Sequence, residues 1–309
     1  MSTLRLLQRG RVIASALLLL PDFLLIALGA VMKRVRAFDA PFWRGLERFV
    51  YFVLFPALLF RALATATMSL GDASRLVVVG VLFTLAGMAL SALAKPLLHL
   101  PQPTFAACFQ CAFRFNTYIA LAAASRLGGA AAVAAISLLI GVLVPLVNIA
   151  AIAALAPRRG KGVWLAIARN PLVVACVAGL GWNALAVPLP GFVAKVLELL
   201  AGAALPLGLV AAGAGLEFVL GTLPLRAIVW WHVIKLAALP ALAFALAPLF
   251  GLSVIERQVA VLLAAVPTAP SSYILAMQMN GTGAPVALLI STGTLLAIVT
   301  LPLWLALVG

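Results

Sequence analysis

The residues best equipped for chemistry sit where charge is rarest in this chain. The run Phe113-Arg114-Phe115-Asn116-Thr117-Tyr118 brings a guanidinium, an amide and a hydroxyl within four residues. On a regular helix Arg114, Thr117 and Tyr118 would share a face. Such a cluster fits poorly against lipid and well against a cavity that takes a carboxylate. The guanidinium fork matches two carboxylate oxygens, and Asn116 can donate its amide. A half-helix starting after a break there would aim unpaired N–H groups and its positive dipole end at the ligand. A second run, Pro267-Thr268-Ala269-Pro270-Ser271-Ser272, carries two prolines three apart. They interrupt the helical ladder and release carbonyls, and small hydroxyls follow. Gln278 adds a neutral amide downstream. The competing reading is a kinked helix patched by Ser and Thr.

Ionisable residues at membrane depth are costly and are functional candidates by default. Asp22, Lys235 and Glu198 fall in apolar runs, and Glu217 reaches an interface by snorkelling. Asp22 either carries a proton or pairs with a base such as Arg114 or Lys235. The segments around Arg114 and Pro267 hold no Asp or Glu, and Gln278 and Asn280 are neutral. A sodium site wants a carboxylate beside several carbonyls, so proton coupling through Asp22, or uniport, is expected. Sodium-coupled symport is the alternative, and a non-transporting structural membrane subunit is the alternative of a different class.

Catalysis and metal binding find little support. His99 and His232 lack HExxH spacing, and His232 beside Trp230 and Trp231 reads as a membrane-interface residue. Cys108-Phe-Gln-Cys111 has no second ligand pair nearby, so these thiols and Cys176 read as small buried hydrophobes. No cofactor, metal or disulfide framework is expected.

The elements that position these residues follow from composition. Of 309 residues, 66% are hydrophobic and 9% charged, against about 25% charged in soluble domains. The bilayer must therefore solvate most of the chain. The net charge of +14 comes from bases beside apolar runs, as in Lys33-Arg34 and Arg158-Arg159. That is the juxtamembrane pattern facing lipid head groups, and nucleic acid is not expected as a partner. The N-terminal apolar run continues from Val12 past Pro21 to Met32, too long for a signal peptide, and reads as a retained first span.

A span needs about 20 apolar residues. Ten candidates follow: 12–32, 48–67, 75–94, 104–126, 131–155, 168–187, 193–216, 227–249, 258–279 and 285–307. An internal repeat relates them. Pro21 and Pro56 recur as Pro171 and Pro206, both at an offset of 150. Asn116-Thr117-Tyr118-Ile119 resembles Ser271-Ser272-Tyr273-Ile274 at an offset of 155, and Pro145 pairs with Pro302 at 157. The predicted organisation is a first five-helix repeat over 1–156, a short loop over 157–163 and a second repeat over 164–309. Five is odd, so the second repeat enters the membrane from the opposite side, and inverted repeats mark transporters. Loops after the odd-numbered spans hold ten Lys and Arg against seven on the other side, a bias that places both termini outside.

These motifs resemble those of the auxin efflux carrier family, bacterial branch. Phe113-Arg114-Phe115-Asn116-Thr117-Tyr118-Ile119 followed by Gly128-Gly129 is similar to its span-four motif, and Val144-Pro145-Leu146-Val147-Asn148 to its span-five motif. Asn170-Pro171, Ala204-Leu205-Pro206-Leu207 and Gly213-Ala214-Gly215-Leu216 resemble its sixth- and seventh-span signatures. Pro267 to Ser271, with Gln278 and Thr294 to Pro302, resembles its ninth and tenth. The resemblance implies an all-α membrane protein with a fold like bile-acid/sodium symporters, in which helices four and nine break and cross. It implies an efflux carrier of small organic anions in a bacterial inner membrane, auxin in plants and dicarboxylates such as malate or malonate in some bacterial relatives. The sequence leaves the oligomeric state open, a homodimer included. One departure matters: Ala122 and Ala123 stand where many relatives carry a proline, so the break in span four is expected either to be softer or to rest on polar groups alone.

Overall fold

The computed structural model describes residues 2–35, 37–66, 70–155, 170–279 and 282–308; side chains of 2–11, 70–72 and 278 are outside that description. The expected loop at 157–163 and the start of the sixth expected span also lie outside it. Among the described residues every regular element is helical.

Helix α1 spans Ser2–Met32 and α2 spans 40–64, with a π-turn at Val50–Leu54. Helix α3 is Leu70–Ala92, followed by the short turn Ala94–Leu98. Helix α4, Gln102–Phe109, tightens into a 3₁₀ turn at Gln110–Ala112 and stops. The chain resumes as α5, Thr117–Leu155, which folds back at Gly128 and Gly129. Gly129 has φ of 55°, a conformation that favours glycine, so α5 is two helices joined by that corner. The second half brings α6 (Pro171–Ala184), α7 (Gly191–Ala214) and α8 (225–249), the last with a π-turn at Ile234–Ala238. Helix α9, Val254–Ala265, stops before residues 266–270. Helices α10 (Ser271–Gln278) and α11 (Gly283–Val308) complete the order.

Among the described residues six stretches are long and apolar enough to cross a membrane: Val12–Met32, Ala73–Leu98, Gln102–Leu155, Gly191–Ala214, Leu225–Leu249 and Gly283–Val308. Large apolar side chains such as Leu17, Leu24, Phe192 and Val299 are exposed. In a bilayer that exposure costs nothing, because lipid tails are as apolar as leucine.

Cohesion between helices comes from close backbone approach. Helix α1 packs along α7, and α2 along α6. A Cβ on Gly213 would collide with the Ile26 carbonyl oxygen, and one on Gly29 with that of Val210. At Gly179 it would lie 2.8 Å from the Phe60 carbonyl oxygen. A different set, α3, α5, α8, α9 and α11, packs together around the two interrupted helices.

Candidate functional site

The interruptions after α4 and α9 meet. The backbone N–H of Asn116 donates to the Pro267 carbonyl at 2.8 Å, and the Thr268 hydroxyl donates to the Cys111 carbonyl at 2.6 Å. Gln110 Nε2 donates to the Ser272 carbonyl at 3.0 Å. Each break is thus held by groups of the other, which is how backbone freed from a helix is satisfied away from water. The break after α9 has a direct cause, since Pro267 and Pro270 have no N–H to continue the ladder. The break before α5 contains no proline. Asn116 makes it: its Oδ1 accepts from the N–H groups of Tyr118 (3.0 Å) and Ile119 (3.3 Å), an N-cap that starts a new helix.

Arg114 sits in this crossing, 8% exposed. Its guanidinium donates to Gln110 Oε1 (2.8 Å), Asn148 Oδ1 (2.8 Å) and Ser271 Oγ (3.4 Å). All three acceptors are neutral. Among the described residues no carboxylate pairs with it; the salt bridges are Lys33–Glu217, Arg126–Asp22 and Lys195–Glu198. A buried cation held only by neutral acceptors attracts an anion into the same space. Because residues 113–116 are not helical, Arg114 does not share a helical face with Thr117 and Tyr118 as expected. The side chain reaches toward Asn148 of α5 and Ser271 of α10 instead.

A cavity of about 950 Å³ opens beside the guanidinium. Arg114, Asn116, Thr117, Tyr118, Pro270 and Ser271 line it. Asn116 turns its Oδ1 to the cap, and among the described residues its Nδ2 has no protein partner. The mouth carries Lys33, Arg44 and Arg48 with Glu47. Tyr51, whose hydroxyl accepts from Asn170 Nδ2 at 3.1 Å, and Tyr273 supply aromatic wall.

The remaining expected site residues serve differently. Pro267 and Thr268 spend their polar groups on the crossing and do not line this cavity. Ser272 is fully buried outside the lining, and its hydroxyl has no partner among the described residues. The side chain of Gln278 lies outside the described ones. Asn148, Gln110 and Tyr51 were not singled out as site residues from the sequence. Asn148 carried a usable signal, an amide inside an apolar span.

Asp22 pairs with neither Arg114 nor Lys235. Its oxygens accept from Arg126 Nε at 2.9 and 3.0 Å, and Arg126 Nη2 lies 2.9 Å from Oδ1. Arg126 belongs to the last turn before the Gly128–Gly129 corner, where α5 comes alongside α1. This pair lines a second cavity, of about 1160 Å³, with Arg61, Glu198 and Glu256.

The two cavities occupy different levels of the same helices. On α2 the first is lined as far as Phe52 and the second from Leu58. On α5 they meet Tyr118 and Ala122, and on α7 Ala212 and Leu209, respectively. Between them Phe55 stacks on Tyr118, with centroids 4.7 Å apart and planes at 20°. Gly208 of α7 backs the stack; a Cβ there would sit 3.0 Å from Phe55 Cζ.

His232 is half-buried between α8 and α11. Its Nε2 is 2.8 Å from Thr292 Oγ1 of α11, and its ring lies against Gly293. Cys108, Cys111 and Cys176 are buried and free, and no group of three metal-ligating side chains occurs among the described residues.

Residues 159–305 match the family model described as "Membrane transport protein", the auxin efflux carrier family domain. No curated protein matches the chain.

Proposed function

We propose, from the membrane-transport family domain over residues 159–305, that this multi-pass membrane protein is a secondary transporter of small organic anions. It works by alternating access in a bacterial cytoplasmic membrane, with a homodimer as an admissible assembly. The observation that carries the reading is Arg114: a buried guanidinium without a carboxylate partner among the described residues, beside a capped helix N-terminus, facing a cavity.

The substrate carboxylate sits between Arg114, the Nδ2 of Asn116 and the hydroxyls of Thr117 and Ser271. Tyr118, on the Phe55 stack, closes the path to the second cavity. Ten spans in a five-plus-five inverted repeat account for the arrangement. The helices that follow the two breaks start at Thr117 and Ser271, within one residue of the offset of 155 that relates Asn116 to Ser271. Coupling is to protons, or absent. The Asp22–Arg126 pair, at the wall of the second cavity, is the candidate proton-responsive contact.

A melting screen of the purified protein against mono- and dicarboxylates tests the reading. At least one carboxylate should stabilise the wild type, and its neutral amide analogue should not. Arg114→Gln should abolish the shift while the protein stays folded. Equal stabilisation by acid and amide, or an unchanged shift in Arg114→Gln, would show that the cavity does not select for negative charge.

A further inference from the structure

A second buried cation stands beside the crossing. Lys235 is 2% exposed, lies in the π-turn of α8, and lines neither cavity. Among the described residues it makes no salt bridge. Its Nζ donates to the Ala264 carbonyl at 2.9 Å. That carbonyl belongs to the last turn of α9, the helix that stops at the crossing.

The reason it is free lies in the sequence. The last four carbonyls of a helix lack an intrahelical partner. Leu262 recovers one from the Val266 N–H. Leu263 would need an N–H from residue 267, which is proline. Ala264 would need one from Thr268, which has left the helix. A helix C-terminus carries about half a negative charge. In transporters built from broken helices, unwound carbonyls and half-helix C-terminal ends are where the coupling cation is coordinated. In this chain such carbonyls already have protein donors: Lys235 on Ala264, the Thr268 hydroxyl on Cys111 and the Asn116 N–H on Pro267.

The π-turn is what delivers the ammonium. Its wider winding packs Ile234–Ala238 against α9, α11 and the 3₁₀ turn Gln110–Ala112 at once. Trp304 Nε1 fastens it by donating to the Leu236 carbonyl at 2.8 Å. The turn that carries the ammonium is therefore fixed by its neighbours, and the ammonium lies outside the lining of the anion cavity.

We infer that Lys235 is the tethered cation of the crossover: its ammonium takes the α9 carbonyl that a dissociable sodium ion would coordinate, and holds the broken helix in place without an ion co-substrate. It is a positioning residue, acting on the anion site through α9 and the break. The inference rests on the transport reading above and adds to it what fixes the crossing and which ion the cycle omits.

Sodium dependence is the readout that a merely structural lysine would not move. Wild-type melting in detergent should be the same in sodium and in N-methyl-D-glucamine at matched ionic strength. Lys235→Ala should melt lower and gain a saturable, sodium-specific rise. Lys235→Gln, which keeps a donor for Ala264 without the charge, should gain the same rise and serves if the alanine variant does not fold. Uptake of labelled malate by Lys235→Gln proteoliposomes should fall by about tenfold without sodium, the scale of one hydrogen bond to a charged group, and sodium should restore most of it. Lys235→Arg should stay sodium-independent. A saturable sodium shift in the wild type, or variants that fold and ignore sodium, would overturn the inference. If wild-type vesicles carry no carboxylate, the transport reading fails, while the melting comparison still decides the role of Lys235.

Discussion

Asn116 does two jobs in this structure, and a pair of substitutions separates them. Its Oδ1 caps α5 by accepting from the N–H groups of Tyr118 and Ile119, and its Nδ2 is left for the cavity. Serine caps about as well as asparagine, whereas alanine loses about 1 kcal/mol. Asn116→Ser should therefore melt close to wild type. Asn116→Ala should be destabilised by about 1 kcal/mol. Both lose the amide donor to the substrate carboxylate. A hydrogen bond to a charged group is worth about 1.5–3 kcal/mol net, so affinity should fall by about 10- to 150-fold in each. The Asn116 N–H bond to Pro267 is made by backbone, so neither variant breaks the crossing itself. Titration of the best carboxylate from the melting screen, by calorimetry, gives affinity, and melting without ligand gives stability. Wild-type affinity in Asn116→Ser would refute the placement of the anion at this amide. Equal destabilisation of the two variants would refute the cap.

Three further outcomes are expected. Asp22→Asn should leave carboxylate binding intact and flatten the pH dependence of uptake, at a stability cost of about 1–3 kcal/mol because Arg126 remains part-exposed to water; unchanged pH dependence in proteoliposomes would remove Asp22 from coupling. Gly213→Ala should cost about 1–3 kcal/mol through the clash with the Ile26 carbonyl, whereas Gly202→Ala, where a Cβ meets nothing within 4 Å, should melt like wild type. Reporter fusions after Arg159 and after Gly309, both outside the described residues, should report opposite sides of the membrane; the same side would contradict the five-plus-five arrangement.

Local chemistry was legible in the sequence, and long-range pairing was not. Pro267 and Pro270 announce their break because proline removes the donor whatever surrounds it. The break before α5 was legible only as polarity, and Asn116 turns that polarity into a cap. Arg114, Asn116, Thr117, Tyr118, Pro270 and Ser271 line one cavity. Thr268 and Ser272 show the limit, because at a break the face that a side chain takes depends on the partner helix, not on a period of 3.6. Asp22 shows it too. Its choice of Arg126 over Arg114 or Lys235 follows from which helix lies alongside α1, and no spacing within α1 encodes that. Lys235 was visible as a cation at membrane depth, but its place on the Ala264 carbonyl needs the π-turn and the packing of α8 on α9.

Counterflow in proteoliposomes tests the central claim most directly. Vesicles containing the wild-type protein and loaded with unlabelled malate should take up labelled malate transiently above equilibrium, with the loaded carboxylate as the sole driving gradient. Asn116→Ser vesicles with the same amount of folded protein should show little of this overshoot. Accumulation in the wild type that is absent without internal carboxylate is the result predicted for one anion site reached alternately from two sides. If no carboxylate gives an overshoot, or if Asn116→Ser matches the wild type, the crossing at Arg114 and Asn116 is not the site through which this protein carries an anion.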